Sequence, residues 1–201
     1  MSKINWPGAA ISAPIPPALV VCGNMEKCNV LTVAWTGIIN TKPPTTYISV
    51  RPERYSYEII RSCGEFTINF PSSDMARIVD YCGTYSGKKV DKFERCRLSA
   101  QPSIHIETPI IEQCPLSLEC KVVSETSFGT HTMFVAEIVG VDIDEALISA
   151  DGSLHLEKAH LLAFAHGSYY DLGKRIGPKG YAVRKPKKQG ISRATHKQGA
   201  N

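Results

Sequence analysis

No stretch of this 201-residue chain holds the roughly 20 consecutive apolar residues that span a bilayer, and Met1-Ser2-Lys3-Ile4-Asn5-Trp6-Pro7 lacks the apolar core of a secretory signal. The expectation is a cytoplasmic protein. The seven cysteines, at 22, 28, 63, 82, 96, 114 and 120, include no Cys-x-x-Cys and have no histidine at zinc-like spacing. That argues against a disulfide framework, a structural zinc site and a thioredoxin-type dithiol, and leaves reduced, largely buried thiols as the expectation. The chain also lacks a Gly-x-Ser-x-Gly elbow, a His-Glu-x-x-His pair, a carboxylate cluster suited to a metal, a phosphate loop ending in Gly-Lys-Ser, and a Gly-x-Gly-x-x-Gly after a strand. Hydrolase chemistry and a doubly wound nucleotide fold lose their support together.

What is present suits a globular domain: 43% hydrophobic and 21% charged residues, enough to bury a sizeable core. The formal charge of +4 is unevenly spread. Residues 184–201 contain Arg184, Lys185, Lys187, Lys188, Arg193 and Lys197 with no Asp or Glu, so the body of the chain is slightly acidic. We therefore expect a domain over 1–183 followed by a basic, solvated tail over 184–201. The tail has no aromatic residue to stack on a base, so nucleic-acid binding is not expected.

Pro17 to Cys22 and Asn29 to Trp35 are apolar and β-branched around the turn residues Gly23-Asn24, which predicts an opening hairpin. Thr45 to Val50 reads as a third strand after Pro43-Pro44. From Glu53 to Cys63 the apolar spacing becomes helical and stops at Gly64; Glu65 to Phe70 then alternates as a strand and stops at Pro71. A second helix carries Met75, Ile78, Val79 and Cys82 and is expected to end at Gly83, with a polar loop after it. Leu116 to Ser124, Thr132 to Val141 and His160 to Tyr170 complete a set of roughly seven strands with two or three short helices. Tight connections favour an antiparallel Greek-key-like barrel, mainly β with inserted helices.

Two polar segments stand out. Ser49-Val50-Arg51-Pro52-Glu53-Arg54-Tyr55-Ser56 delivers two arginines and a hydroxyl to a helix start, where an anion could meet amide N–H groups and a guanidinium. Capping by Ser56 with solvated arginines explains the same residues equally well. Ser86-Gly87-Lys88-Lys89-Val90-Asp91-Lys92-Phe93 is a basic loop that could simply face water.

The ordered set Asn29-Val30-Leu31-Thr32-Val33-Ala34-Trp35, Ile48-Ser49-Val50-Arg51-Pro52, Arg54-Tyr55-Ser56, Gly64-Glu65-Phe66, Asp80-Tyr81-Cys82-Gly83, Ser86-Gly87, Asp91-Lys92-Phe93, Pro109-Ile110, Leu118-Glu119-Cys120 and Thr130-His131 resembles the flavin reductase-like family from about Pro14 to Gly173. Within that family it is most similar to the flavoredoxins. The resemblance implies an FMN-binding split barrel, a homodimer, and non-covalent FMN beside Asn29, Thr32, Ala34 and Trp35. It further implies Val50, Arg51 and Ser56 along the phosphate side, with Lys92, His131 and Phe164 completing the pocket. Read without it, Trp35 and Phe164 are core aromatics, His131 and Asn29 turn residues, and Lys92 an exposed charge. The implied function is an oxidoreductase taking hydride from NADH or NADPH and passing electrons to free flavin or a redox protein. The alternative is an FMN electron carrier with little direct nicotinamide turnover. Because the cofactor carries the chemistry, no protein nucleophile or general base is required.

Overall fold

The computed structural model describes residues 1–183, so the basic tail expected over 184–201 lies outside the described residues. The elements, in order, are β1 (Ala18–Gly23), β2 (Cys28–Val33), β3 (Thr36–Thr41), β4 (Pro44–Val50), α1 (Tyr55–Cys63), β5 (Glu65–Phe70), α2 (Ala76–Thr84), α3 (Lys92–Cys96), β6 (Ala100–Gln101), β7 (Ile110–Ile111), β8 (Leu116–Ser127), β9 (Thr132–Ile143), β10 (Leu162–Ala165) and β11 (Ser168–Asp171). Seven strands form one antiparallel sheet in the order β2-β1-β5-β8-β9-β4-β3. Its outermost strands, β2 and β3, are joined in the chain by only Ala34 and Trp35. A flat sheet cannot put its two edges in immediate succession, so this one curls on itself. The Ser49 amide, donating to the Trp35 carbonyl at 2.9 Å, ties the junction to β4.

Strand β1 explains why its sequence is continuously apolar rather than alternating. Ala18, Val20 and Cys22 face a core with Phe66, Ile68, Ile48, Phe134 and Leu118, into which α1 inserts Tyr57 and Ile60. Leu19 and Val21 face the other way, against Met75, Val79 and Cys82 from the α2 side. One strand therefore supplies both the barrel interior and the layer that seats the helices.

Expectation and structure part in four places. Strand β3 lies where no strand was expected, since its side chains are largely exposed and it owes its conformation to pairing with β4. Helix α2 runs through Gly83 to Thr84; Gly83 lies against the Thr32 side chain, where a Cβ would come within 3.2 Å. The polar loop after it contains α3, capped by the Asp91 carboxylate accepting from the Glu94 amide at 3.1 Å. The last run is a hairpin, because His166 and Gly167 both take positive φ (46° and 84°) and reverse the chain between β10 and β11.

Candidate functional site

The two polar segments meet. Arg54 starts α1 without a side-chain cap and sends Nη1 to the Gly83 carbonyl at 3.0 Å, joining the start of α1 to the last turn of α2. From the other segment, Asp91 sets the first turn of α3 so that Lys92 points inward, leaving it 4% exposed. Lys92 Nζ donates to the carbonyls of Val30 on β2 at 2.8 Å and Cys82 on α2 at 2.7 Å. Arg54 and Lys92 thus satisfy successive carbonyls that the end of α2 leaves open.

An ammonium carries three donors, and the two carbonyls use two of them. Among the described residues no carboxylate lies within ion-pair distance of Lys92. Burial lowers its pKa from the ordinary 10.5, and the nearby Arg54 charge pushes the same way. A buried cation with one donor unspent at a cavity wall is an electrostatic demand for an anion.

Lys92 lines two cavities, of about 350 Å³ and about 100 Å³, which share Asn29, Tyr55 and Gly87 as walls. Ser56, 1% exposed in the first turn of α1, lines the smaller one and accepts a hydrogen bond from Asn29 Nδ2 at 2.6 Å. With that lone pair engaged, its hydroxyl proton is available as a donor, and the positive end of the α1 dipole adds to it. Ser56 is therefore a first-turn residue rather than the cap. A side chain at Gly87 would have to displace the wall, since a Cβ there would stand 2.1 Å from Asn29 Oδ1 and 2.8 Å from Tyr55 Cδ1. Thr32 lines the same cavity with its hydroxyl donated to the Val79 carbonyl.

The expected site residues fall into three groups. Asn29, Thr32, Ser56 and Lys92 share the cavity walls. Ala34, Trp35, Val50, Arg51 and His131 lie outside those walls, at neighbouring strand ends: the Ser49 amide bonds the Trp35 carbonyl, and Val50, its side chain buried in the barrel core, pairs with Thr132, which follows His131. Trp35 is 38% exposed there, Arg51 meets Glu53 at 3.5 Å, and His131 Nδ1 is 2.9 Å from Thr130 Oγ1. Phe164 belongs to neither group; its ring packs on Tyr169 at 5.2 Å. Arg54, Tyr55, Ser86 and Gly87, present in the two polar segments but not among the pocket residues the resemblance implied, also line the smaller cavity. The signal available was the small Ser86-Gly87 pair opening a basic segment.

Residues 12–173 match the flavin reductase like domain. Flavoredoxin of Desulfovibrio vulgaris (Miyazaki F) is 30% identical, with a TM-score of 0.84, covering 91% of this chain and 100% of that one. Flavoredoxin from Methanosarcina acetivorans is also 30% identical, with a TM-score of 0.80 over 92% of this chain and 100% of that one. An uncharacterized protein of Archaeoglobus fulgidus is 35% identical over 133 residues, 66% of this chain and 75% of its own length.

Proposed function

This chain belongs to the flavin reductase-like family, and from that premise we propose an FMN-dependent oxidoreductase that takes hydride from NADH or NADPH and delivers electrons to free flavin or a redox protein. The observation that carries FMN binding is Lys92, a buried ammonium with a donor to spare and no anion to meet it among the described residues. A phosphate monoester answers that demand, and the residues fit it: Ser56 supplies a hydroxyl at the start of α1, Asn29 orients that hydroxyl, and Gly87 lets the chain approach closely. Bound flavin supplies the two-electron chemistry.

In this reading Thr32, Ala34, Trp35, Val50 and Arg51 continue from the phosphate side along the neighbouring strand ends, and His131 and Phe164 complete the pocket in a homodimer. Ile38 and Ile39 on edge strand β3, 64% and 51% exposed, support an apolar contact with a second copy beside Trp35. A monomeric mass in solution would count against the dimer. A single functional domain over 1–183 belongs to the same proposal.

A second reading, an FMN carrier reduced by a protein donor, is favoured by the likeness to the flavoredoxins. Mixing FMN-loaded protein anaerobically with NADH and then NADPH separates the two. Rapid loss of visible flavin absorbance is the expected result for the reductase. FMN that stays oxidised with both nucleotides moves the protein to the carrier reading, and failure to bind FMN removes the cofactor assignment altogether.

A further inference from the structure

Tyr81 on α2 and Tyr85 just beyond it stack with ring centroids 4.4 Å apart and planes 23° apart. Neither ring belongs to the two buried cores, and Tyr85 is 49% exposed. Together with Arg77, Asp80 and Tyr169 they line a groove of about 520 Å³. Tyr169 is held in the groove by a hydrogen bond from its hydroxyl to Asp80 Oδ1 at 3.3 Å and by the Phe164 ring. Tyr85 is also a wall of the small Lys92 cavity, so groove and cavity lie on either side of one half-exposed side chain.

Resting on the flavin reading above, we propose that this tyrosine shelf binds the adenine ring of a dinucleotide whose diphosphate runs from the shelf toward the Lys92 cavity. The chemistry is complementary at each point. Exposed tyrosine faces stack on a planar purine, the Asp80 carboxylate accepts from an exocyclic amino group, and the Arg77 guanidinium attracts the second phosphate. A phosphate confined to the smaller cavity, about 100 Å³, leaves the shelf free for whatever lies beyond that phosphate. The adenine can belong to a flavin dinucleotide, whose own first phosphate fills the Lys92 cavity, or to a nicotinamide dinucleotide, whose diphosphate then approaches that cavity only from the Arg77 side while the FMN phosphate fills it.

The test uses the whole chain and its Tyr81→Leu and Arg77→Ala variants, neither position lying in the Lys92 cavity. Flavin fluorescence titrations compare FMN with FAD. KM is compared for NADH and for reduced nicotinamide mononucleotide, with AMP as competitor. If the adenine is that of the flavin, FAD binds about tenfold tighter than FMN and Tyr81→Leu abolishes the difference while leaving FMN affinity unchanged. If it is that of the nicotinamide nucleotide, Tyr81→Leu raises KM for NADH severalfold but not for the mononucleotide, and AMP competes with NADH. Equal FMN and FAD affinities, together with indifference to AMP and to Tyr81→Leu, overturn the shelf while leaving the FMN site standing. Loss of FMN binding by the unmodified chain strikes the cofactor reading instead, and AMP titration of that protein then decides the shelf directly.

Discussion

Two regions of this molecule bury charge, and they resolve it differently. On β8, Glu119 is fully buried and closes on its own chain: Oε1 accepts from the Ile104 amide at 2.9 Å, and Oε2 from the His105 amide at 2.7 Å with His105 Nδ1 at 3.2 Å. Gly140 on β9 leaves room for this arrangement, since a Cβ there would stand 2.6 Å from His105 Nδ1. Lys92 has two backbone carbonyls and then an open cavity. The carboxylate is satisfied from within and pins a loop to the barrel, whereas the ammonium keeps one donor unspent, the one the proposed function gives to FMN. Equal burial therefore has opposite meanings, and what separates them is whether the protein supplies the counter-group.

The comparison breaks most sharply at Lys92→Met, which keeps the stem and removes the charge. FMN affinity should fall about 100-fold, the loss of a charge-assisted hydrogen bond in a buried site; a change under about threefold in a fluorescence titration would sink the anion-binding role. The same residue sets a pH dependence. Because burial lowers the Lys92 pKa from 10.5, the cation is present below the lowered value and is lost as pH rises through it. FMN affinity should weaken on that alkaline limb in the wild type and show no such limb in Lys92→Met.

Glu119→Gln should show the opposite profile. One of the loop amides then faces an NH₂ group, and stability in urea should drop by about 2 kcal/mol while FMN affinity stays unchanged. A matching loss of FMN affinity would mean that the two regions are coupled. Gly87→Ala should weaken FMN about tenfold, since the new methyl displaces Asn29 or Tyr55 from the cavity wall. Wild-type affinity in that variant would show that the loop yields without consequence.

The smallest expected effect is at Asp142, beside Glu119. Burial raises its pKa above the ordinary 3.8, the Glu119 charge adds to the rise, and Oδ2 is buried without a partner. The folded state then holds its proton more tightly than the unfolded chain, so the contribution of Asp142 to stability is present below 3.8 and is lost as pH rises through the raised folded value. Asp142→Asn should flatten that slope and slightly raise the urea midpoint at neutral pH. A lowered midpoint there would show that the carboxylate stabilises the loop contact.

Much of the fold was legible where punctuation and period agree. Strand β5 runs from Glu65 to Phe70 as expected because Gly64 at φ 71° and Pro71 leave it no other length. The short connection between β8 and β9 kept Phe128 to His131 as a turn. Strand β3 and the β10–β11 hairpin were illegible for different reasons. The first has no buried face to impose a period, and the second hides its turn in a His-Gly pair inside an apolar run. At the site, the residues by themselves marked both polar segments but left Lys92 an exposed charge; the family resemblance drew Lys92 into the pocket and chose Arg51 rather than Arg54 for the phosphate side. Only the fold joins Arg54 to the end of α2 and leaves Arg51 with Glu53 in solvent.

By itself, then, the sequence determined the strand and helix periods, the stops at Gly64 and Pro71, and the residue types an anion needs, because these depend on near neighbours in the chain. The tertiary structure alone decided that the sheet curls until its outer strands β2 and β3 follow each other directly, that Lys92 is buried against carbonyls from β2 and α2, and that Ser56, Asn29 and Gly87 share one wall. Curling, burial and convergence are set by contacts between segments distant in sequence, and hydrophobic packing of both faces of β1 holds those segments in place.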